Sequence, residues 1–377
     1  MLLGLRSYDS FCRLLLQGKQ HFQFPLFGDT IFILGAYERP SSIVFTKGFP
    51  MVTPVFWKRL DLQFPSQFNT IFFDVDGVLI KTIDSFHATD IATAEYVAST
   101  IHGLNWGQNE GKTLVTHEDV IAFKQAGGYN NDWDMCYLLA TLSTARLREW
   151  KDTPLAERSI EEWAALSRAA NEEGHGGIEW VREVMPATSQ LDYNVIGDIY
   201  HEFYWGATEI KKRLGHTPRY LPDFPGFVHN EEMNFPPDFF THLREAGIPY
   251  LGMITGRVGP EVEIVLEMME AYVGTRWWDV VISADICPKP DPRALQLAIE
   301  GIGGEVGGGL YIGDTGDDLD LVLNYRTIKK ESEPDMLAVM LVHSFEEALY
   351  QQRGSDFIIG SVTDVTRCLP DNVNYPG

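Results

Sequence analysis

Asp74 and Asp76 stand one residue apart behind an apolar run, Ile71-Phe72-Phe73, and Gly77 follows them. A buried strand that ends in carboxylates puts charge at the carboxyl edge of a sheet, where open α/β sheets bind ligands. Three more clusters end or follow apolar runs downstream: Thr255-Gly256-Arg257, Pro288-Lys289-Pro290-Asp291-Pro292 and Gly313-Asp314-Thr315-Gly316-Asp317-Asp318. Gathered at one sheet edge they supply several carboxylates, a hydroxyl and an ammonium. Two carboxylates at this spacing can divide the work of nucleophile and general acid/base. Further carboxylates repel them, by roughly 4 kcal/mol for a pair about 4 Å apart at an effective dielectric near 20. A hard cation with oxygen ligands, Mg2+, removes that repulsion. Together with a lysine and a hydroxyl, such a centre suits phosphoryl transfer, and an aspartate can carry the phosphoryl group covalently.

The elements needed to position these residues are legible. Residues 70–80 read as a buried strand leaving a glycine turn. From Asp84 to about Tyr220 the pattern is helical: Ser85–His102 closed by Gly103, Thr116–Ala126 with Thr116 as N-cap, a capping box at Ser159–Glu162, and a long helix from Asn194 to Leu214 stopped by Gly215. A proline-rich stretch, Pro218–Pro237, reads as the return linker. Strands then alternate with helices: strands at Tyr250–Ile254, Val280–Ile282, Leu310–Ile312, Leu337–Val342 and Phe357–Ile359, with a helix capped by Ser344 before the last. That alternation predicts an α/β fold, a Rossmann-like parallel sheet with helices on both faces. The expected organisation is a β-rich extension over 1–69, a core over 70–83 and 226–377, and a helical insertion over 84–225. Within the extension, a short helix over Leu2–Leu15 and strands at Ile31–Leu34 and Ile43–Thr46 are expected.

Composition narrows the partners. The 377 residues carry 30 Lys plus Arg against 53 Asp plus Glu, a formal charge of −23, which excludes a general nucleic-acid binder. A small phosphorylated metabolite needs only local positive charge or a metal. The cysteines, Cys12, Cys136, Cys287 and Cys368, form no CxxC pair and read as reduced thiols. No run reaches the roughly 18 apolar residues of a membrane span, and the cytoplasm is the expected location.

The four clusters, Asp74-Val75-Asp76-Gly77-Val78, Thr255-Gly256, Lys289-Pro290 and Gly313-Asp314-x-x-Asp317-Asp318, resemble the four ordered motifs of the haloacid dehalogenase superfamily over roughly residues 70–365. The resemblance implies a Rossmann-like core. The long helical insertion between the first and second motifs is similar to the C1 cap of the subfamily I branch that includes phosphoglycolate phosphatase and β-phosphoglucomutase. It further implies Asp74 as phosphorylated nucleophile, and Asp76 as the acid that protonates the leaving group and then activates water. Thr255, Gly256 and Lys289 would bind phosphate. Asp74, the Asp76 carbonyl, Asp314 and Asp318 would face Mg2+, with Asp317 a further candidate where many relatives carry asparagine. Dehalogenases of the superfamily lack an aspartate at the second position, so Asp76 favours a phosphatase or phosphomutase. A non-catalytic binding protein on the same core is the reading from a different class. Substrate choice is expected in the insertion. Its polar segment from Lys124 to Trp133 contains two glycines, and Lys124 and Asn131 are the candidates for contacting substrate. Arg257 follows the second motif, where it either reaches substrate or is solvated.

Overall fold

The computed structural model describes residues 55–107, 110–129, 131–342 and 346–371. The elements expected over Leu2–Leu15, Ile31–Leu34 and Ile43–Thr46, together with Cys12 and Ser344, lie outside the described residues. The chain divides into two compact units: residues 83–229, and residues 51–82 joined with 230–377.

The second unit is built on a seven-stranded sheet. Its strands are β1 (Phe56–Lys58), β2 (Thr70–Phe73), β5 (Tyr250–Ile254), β6 (Val280–Ile282), β7 (Gly308–Gly313), β8 (Asp335–Leu341) and β9 (Phe357–Ile359), in the order β1-β9-β8-β7-β2-β5-β6. Every neighbouring pair is parallel except β1, which runs antiparallel to β9. The small β3 (Ile80–Lys81) and β4 (Glu232–Met233) form a separate antiparallel ribbon.

Alternation along the strands fills two cores, as period-2 side chains must. Ile71 and Phe73 of β2 join Leu251, Met253, Leu310 and Ile312, packed with Phe239, Phe240, Leu243 and Val265 from helices Phe239–Glu245 and Gly259–Val273. Phe72 joins Ile254, Tyr311, Ala338 and Met340, packed with Leu295, Ala298, Leu319 and Val322 from helices Arg293–Gly301 and Gly316–Ile328. Helices thus cover both faces, the condition for a parallel sheet. From central β2 the strand order runs outward through β5 and β6 on one side and through β7, β8 and β9 on the other. The reversal at β2 and β7 makes their carboxyl ends a topological switch point, the place where α/β sheets bind ligands.

Residues 55–69, expected in the extension, belong in part to this sheet. β1 pairs Phe56 with Ile359 and Lys58 with Phe357. Arg59 then bonds the buried Asp356 beside β9, its Nη1 2.9 Å from Oδ1, while Arg326 holds the other carboxylate oxygen.

The first unit is helical. Its principal helices are Ala88–Tyr96, His117–Ala126, Asp132–Arg148, Ile160–Glu172, Gly177–Val184 and Tyr193–Leu214. The expected helix over Ser85–His102 is present with a π-helical turn at each end, Ile83–His87 and Val97–Ile101. Thr116 and Ser159 close capping boxes with Asp119 and Glu162. Helix Tyr193–Leu214 breaks at Gly206, whose φ of 73° and close approach to the Pro225 main chain exclude any larger residue. One turn earlier, the buried Glu202 carboxylate accepts three main-chain N–H bonds, from Arg219, Tyr220 and Leu221 at 2.6–2.7 Å. No helix among the described residues is long and apolar enough to cross a membrane.

Candidate active site

β2 stops where its ladder gives way to two carboxylates. The Asp74 N–H still donates to Ile312 O at 2.8 Å, which seats Asp74 between the ends of β5 and β7. The turn that follows needs Gly77: its φ is 75°, and a Cβ there would collide with the Asp314 carboxylate. Gly77 N–H donates to Ile80 O at 2.9 Å and closes the turn onto β3.

Lys289 stands between two of the carboxylates. Its Nζ lies 2.8 Å from Asp74 Oδ1 and 2.7 Å from Asp318 Oδ1. Asp318 is saturated. The Tyr311 hydroxyl donates to Oδ1 at 2.6 Å, and Oδ2 accepts from Thr315 N, Thr315 Oγ1 and Asp314 N at 3.0, 2.7 and 3.2 Å. The Thr315 N bond is half of the capping box that starts helix Gly316–Ile328, so the helix N-terminus fixes Asp318 in place.

Burial pulls the Asp318 carboxyl upward, but Lys289, Tyr311 and Thr315 outweigh it and hold the group below the ordinary carboxylate range. Burial likewise opposes the charge on Lys289, yet Asp318 and Asp74 raise its ammonium above an ordinary lysine. Asp74 has less support. Burial, against the pull of Lys289 and with the neighbouring charges of Asp318 and Asp76, leaves its carboxyl pushed up to about 7. Asp314 has the least. Burial, then Asp318 and Asp74, raise it well above the ordinary range, and its buried Oδ1 has no hydrogen-bond partner.

One oxygen each from Asp74, Asp314 and Asp318 lie within 4.8 Å of one another. A gathering of carboxylate oxygens with one orphaned acceptor fits a hard divalent cation better than any hydrogen-bonded arrangement of its own members. Asp317 is half-buried on the first turn of helix Gly316–Ile328 and is not one of the three. The Asp76 carboxylate is also outside the group and turns to Arg257.

Arg257 corrects a sequence expectation. It is 2% exposed, not solvated. Its Nε lies 2.9 and 3.1 Å from the two Asp76 carboxylate oxygens, and its Nη2 lies 2.6 Å from Asp76 Oδ1 and 2.9 Å from Glu231 Oε1. Thr255 is fully buried at the end of β5 and accepts from Arg257 N at 3.1 Å, while Gly256 between them is exposed. Lys124 and Asn131 belong to the helical unit. There Asn131 caps helix Asp132–Arg148 by accepting from Trp133 N at 2.8 Å, and Lys124 lies 3.3 Å from Asp132.

Sequence reasoning missed Glu231 and Tyr311. Glu231 lies in the proline-rich return stretch, which carries no periodicity. Tyr311 is an ordinary strand residue by pattern; only its position two residues before Gly313 at a carboxylate-rich strand end distinguishes it.

A mostly parallel sheet with a switch point and a lysine-bridged carboxylate cluster at its carboxyl edge defines an α/β core with a candidate ligand site at that edge. The sequence matches the family model of haloacid dehalogenase-like hydrolases over residues 68–321, and the chain belongs to that family. No curated protein matches it. Among solved structures, the phosphatase Tt82 from Thermococcus thioreducens is 27% identical, covers 75% of this chain and 98% of its own length, and superposes with a TM-score of 0.51. A structural-genomics X-ray structure with the same TM-score is 15% identical over 79% of this chain and 97% of its own. CbbY from Rhodobacter sphaeroides, solved with phosphate, is 16% identical over 79% of this chain and 96% of its own, with a TM-score of 0.40.

Proposed function

We propose that the chain is a Mg2+-dependent phosphomonoesterase of the C1-capped branch, acting on a small phosphorylated metabolite. The observation that supports this most is the lysine-bridged cluster of Asp74, Asp314 and Asp318 with Asp76 two residues from the nucleophile. The family membership and the likeness to a phosphatase at 27% identity agree with it.

Asp74 attacks phosphorus through a carboxylate oxygen, and the bond from phosphorus to the substrate oxygen breaks. Asp76 gives its proton to that departing oxygen. Water then attacks the aspartyl-phosphate, Asp76 takes the water's proton, and the bond from phosphorus to Asp74 breaks to free phosphate. Thr255, Gly256 and Lys289 bind the phosphoryl oxygens. Asp74, Asp314, Asp318 and the Asp76 carbonyl would hold Mg2+, which supplies positive charge to the phosphoryl group when bound. The helical unit, read as a cap, carries substrate choice.

The test is phosphate release from a panel of phosphorylated metabolites with Mg2+, comparing the natural chain with Asp74→Asn. Equal release by the variant sinks the mechanism. An isomerised sugar phosphate without free phosphate would make the chain a mutase instead.

A further inference from the structure

We infer that Arg257 is a positioning residue for Asp76, held from behind by Glu231. The inference rests on the phosphoryl-transfer reading above. Three observations carry it.

The first is the fork. Arg257 meets both Asp76 oxygens through Nε and reaches Oδ1 again through Nη2. The terminal torsion of an aspartate is otherwise broad, and a planar guanidinium that grips both oxygens fixes the plane of the carboxylate.

The second is a second carboxylate on the same group. Glu231, its side chain fully buried, places Oε1 2.9 Å from the Nη2 that also meets Asp76 Oδ1. Two charge-assisted contacts from separate stretches of chain hold the guanidinium more firmly than Asp76 alone would, so Arg257 is not free to follow Asp76.

The third is the frame. The Arg257 main chain is pinned by its N–H to Thr255 Oγ1 at 3.1 Å and its carbonyl to Ala284 N at 2.9 Å. Glu231 immediately precedes β4, which pairs with β3 just beyond Asp76. Asn234 locks that ribbon through bonds to Leu79 O at 2.8 Å and Val78 O at 3.0 Å. The turn that carries Asp76 and the residue that braces its partner are therefore parts of one small ribbon.

Loss of this bracket should damage only the steps that need Asp76 in place. p-Nitrophenolate departs without a proton, so formation of the aspartyl-phosphate from p-nitrophenyl phosphate does not need Asp76. Its hydrolysis does, because Asp76 must take the proton from water. Phenyl phosphate needs Asp76 in both steps.

The experiment is rapid-mixing kinetics of the full chain with Mg2+ on p-nitrophenyl phosphate and phenyl phosphate, for the natural chain, Asp74→Asn, Arg257→Met, Arg257→Lys and Glu231→Gln. Arg257→Met is expected to release a stoichiometric burst of p-nitrophenolate and then turn over roughly 100-fold more slowly than the natural chain. On phenyl phosphate it should lose the burst as well, with KM within about twofold, whereas on p-nitrophenyl phosphate KM should fall together with turnover because only dephosphorylation is slowed. Arg257→Lys should recover part of the turnover, and Glu231→Gln should fall between, which keeps the test alive where Arg257→Met does not fold. A raised KM at unchanged kcat would overturn the inference and make Arg257 a substrate ligand. Equal loss in both steps on both substrates, or unchanged turnover in all three variants, would also overturn it. If the natural chain shows neither burst nor phosphate release, or Asp74→Asn matches it, the phosphoryl-transfer reading itself falls. That outcome differs from failure of the bracket, which requires an active natural chain.

Discussion

Glu202 in the helical unit and Asp314 in the sheet unit are both carboxylates withdrawn from water, yet their surroundings treat them oppositely. Glu202 accepts three main-chain N–H bonds at 2.6–2.7 Å, so its charge is answered by the backbone it organises. Asp314 has an orphaned Oδ1, and burial, then Asp318 and Asp74, raise its carboxyl well above the usual range. A buried charge that the fold answers is structural; one the fold leaves unanswered awaits something from outside the chain. Asp90 of the helical unit is a third case. Its Oδ1 accepts from Cys136 Sγ at 3.1 Å, and burial, then Asp132, raise its carboxyl well above the ordinary range, which favours the neutral form.

This contrast can be broken by substitution. Asp74→Asn should cut phosphate release by about 1000-fold or more while leaving the thermal midpoint equal or higher, because burial and the charges of Asp318 and Asp76 outweigh the single pair with Lys289 that supports its charge. A stability loss without an activity loss would reverse the assignment. Glu202→Ala should do the opposite and cost about 3 kcal/mol in chemical denaturation by stranding three N–H donors, with Glu202→Gln costing less.

Acid should separate the units further. Burial, with Lys124 and His117 nearby, lowers His87 to about 4, and burial lowers His201 to about 4 against Asp198. Groups whose folded value is depressed are deprotonated in the fold, while the unfolded chain binds protons below about 6.5. Stability from each is full above pH 6.5 and is lost as pH falls towards 4, by about 2–3 kcal/mol per histidine. Denaturation of His87→Gln at pH 6.5 and pH 4 should show a smaller loss than the natural chain; an identical loss refutes the assignment.

Asp90→Asn should change stability by less than about 1 kcal/mol, since it replaces a group already favoured as neutral; a large loss in denaturation would show that the charge matters. Lys124→Ala should have the smallest effect on folding, under about 0.5 kcal/mol, because its pair with Asp132 is partly exposed. A larger fall in kcat/KM than in stability would then mark Lys124 as a substrate contact.

The strand ends were legible because apolar runs stop abruptly at Asp74, Thr255 and Asp314, and charge after a buried strand has few structural uses. Arg257 was not, because an arginine is read as solvated unless its partners are known, and Glu231 is 26 residues away in a stretch without periodicity. Helix Asp132–Arg148 was blurred for a different reason. It is buried without interruption from Met135 to Ala145, so it has no polar face to betray its period. The π-helical turns at Ile83–His87 and Val97–Ile101 keep a helix-like pattern and read as ordinary helix.

The antiparallel strand β1 has a practical consequence for anyone trimming this protein. The family match spans residues 68–321, whereas β1 precedes it and β8 and β9 follow it. A fragment cut to those bounds would lose three of the seven strands and bare the flank of β7, a row of unpaired N–H and C=O groups along an apolar strand. Such a fragment should associate edge to edge and precipitate, while one beginning before Phe56 and ending after Cys368 should stay dispersed.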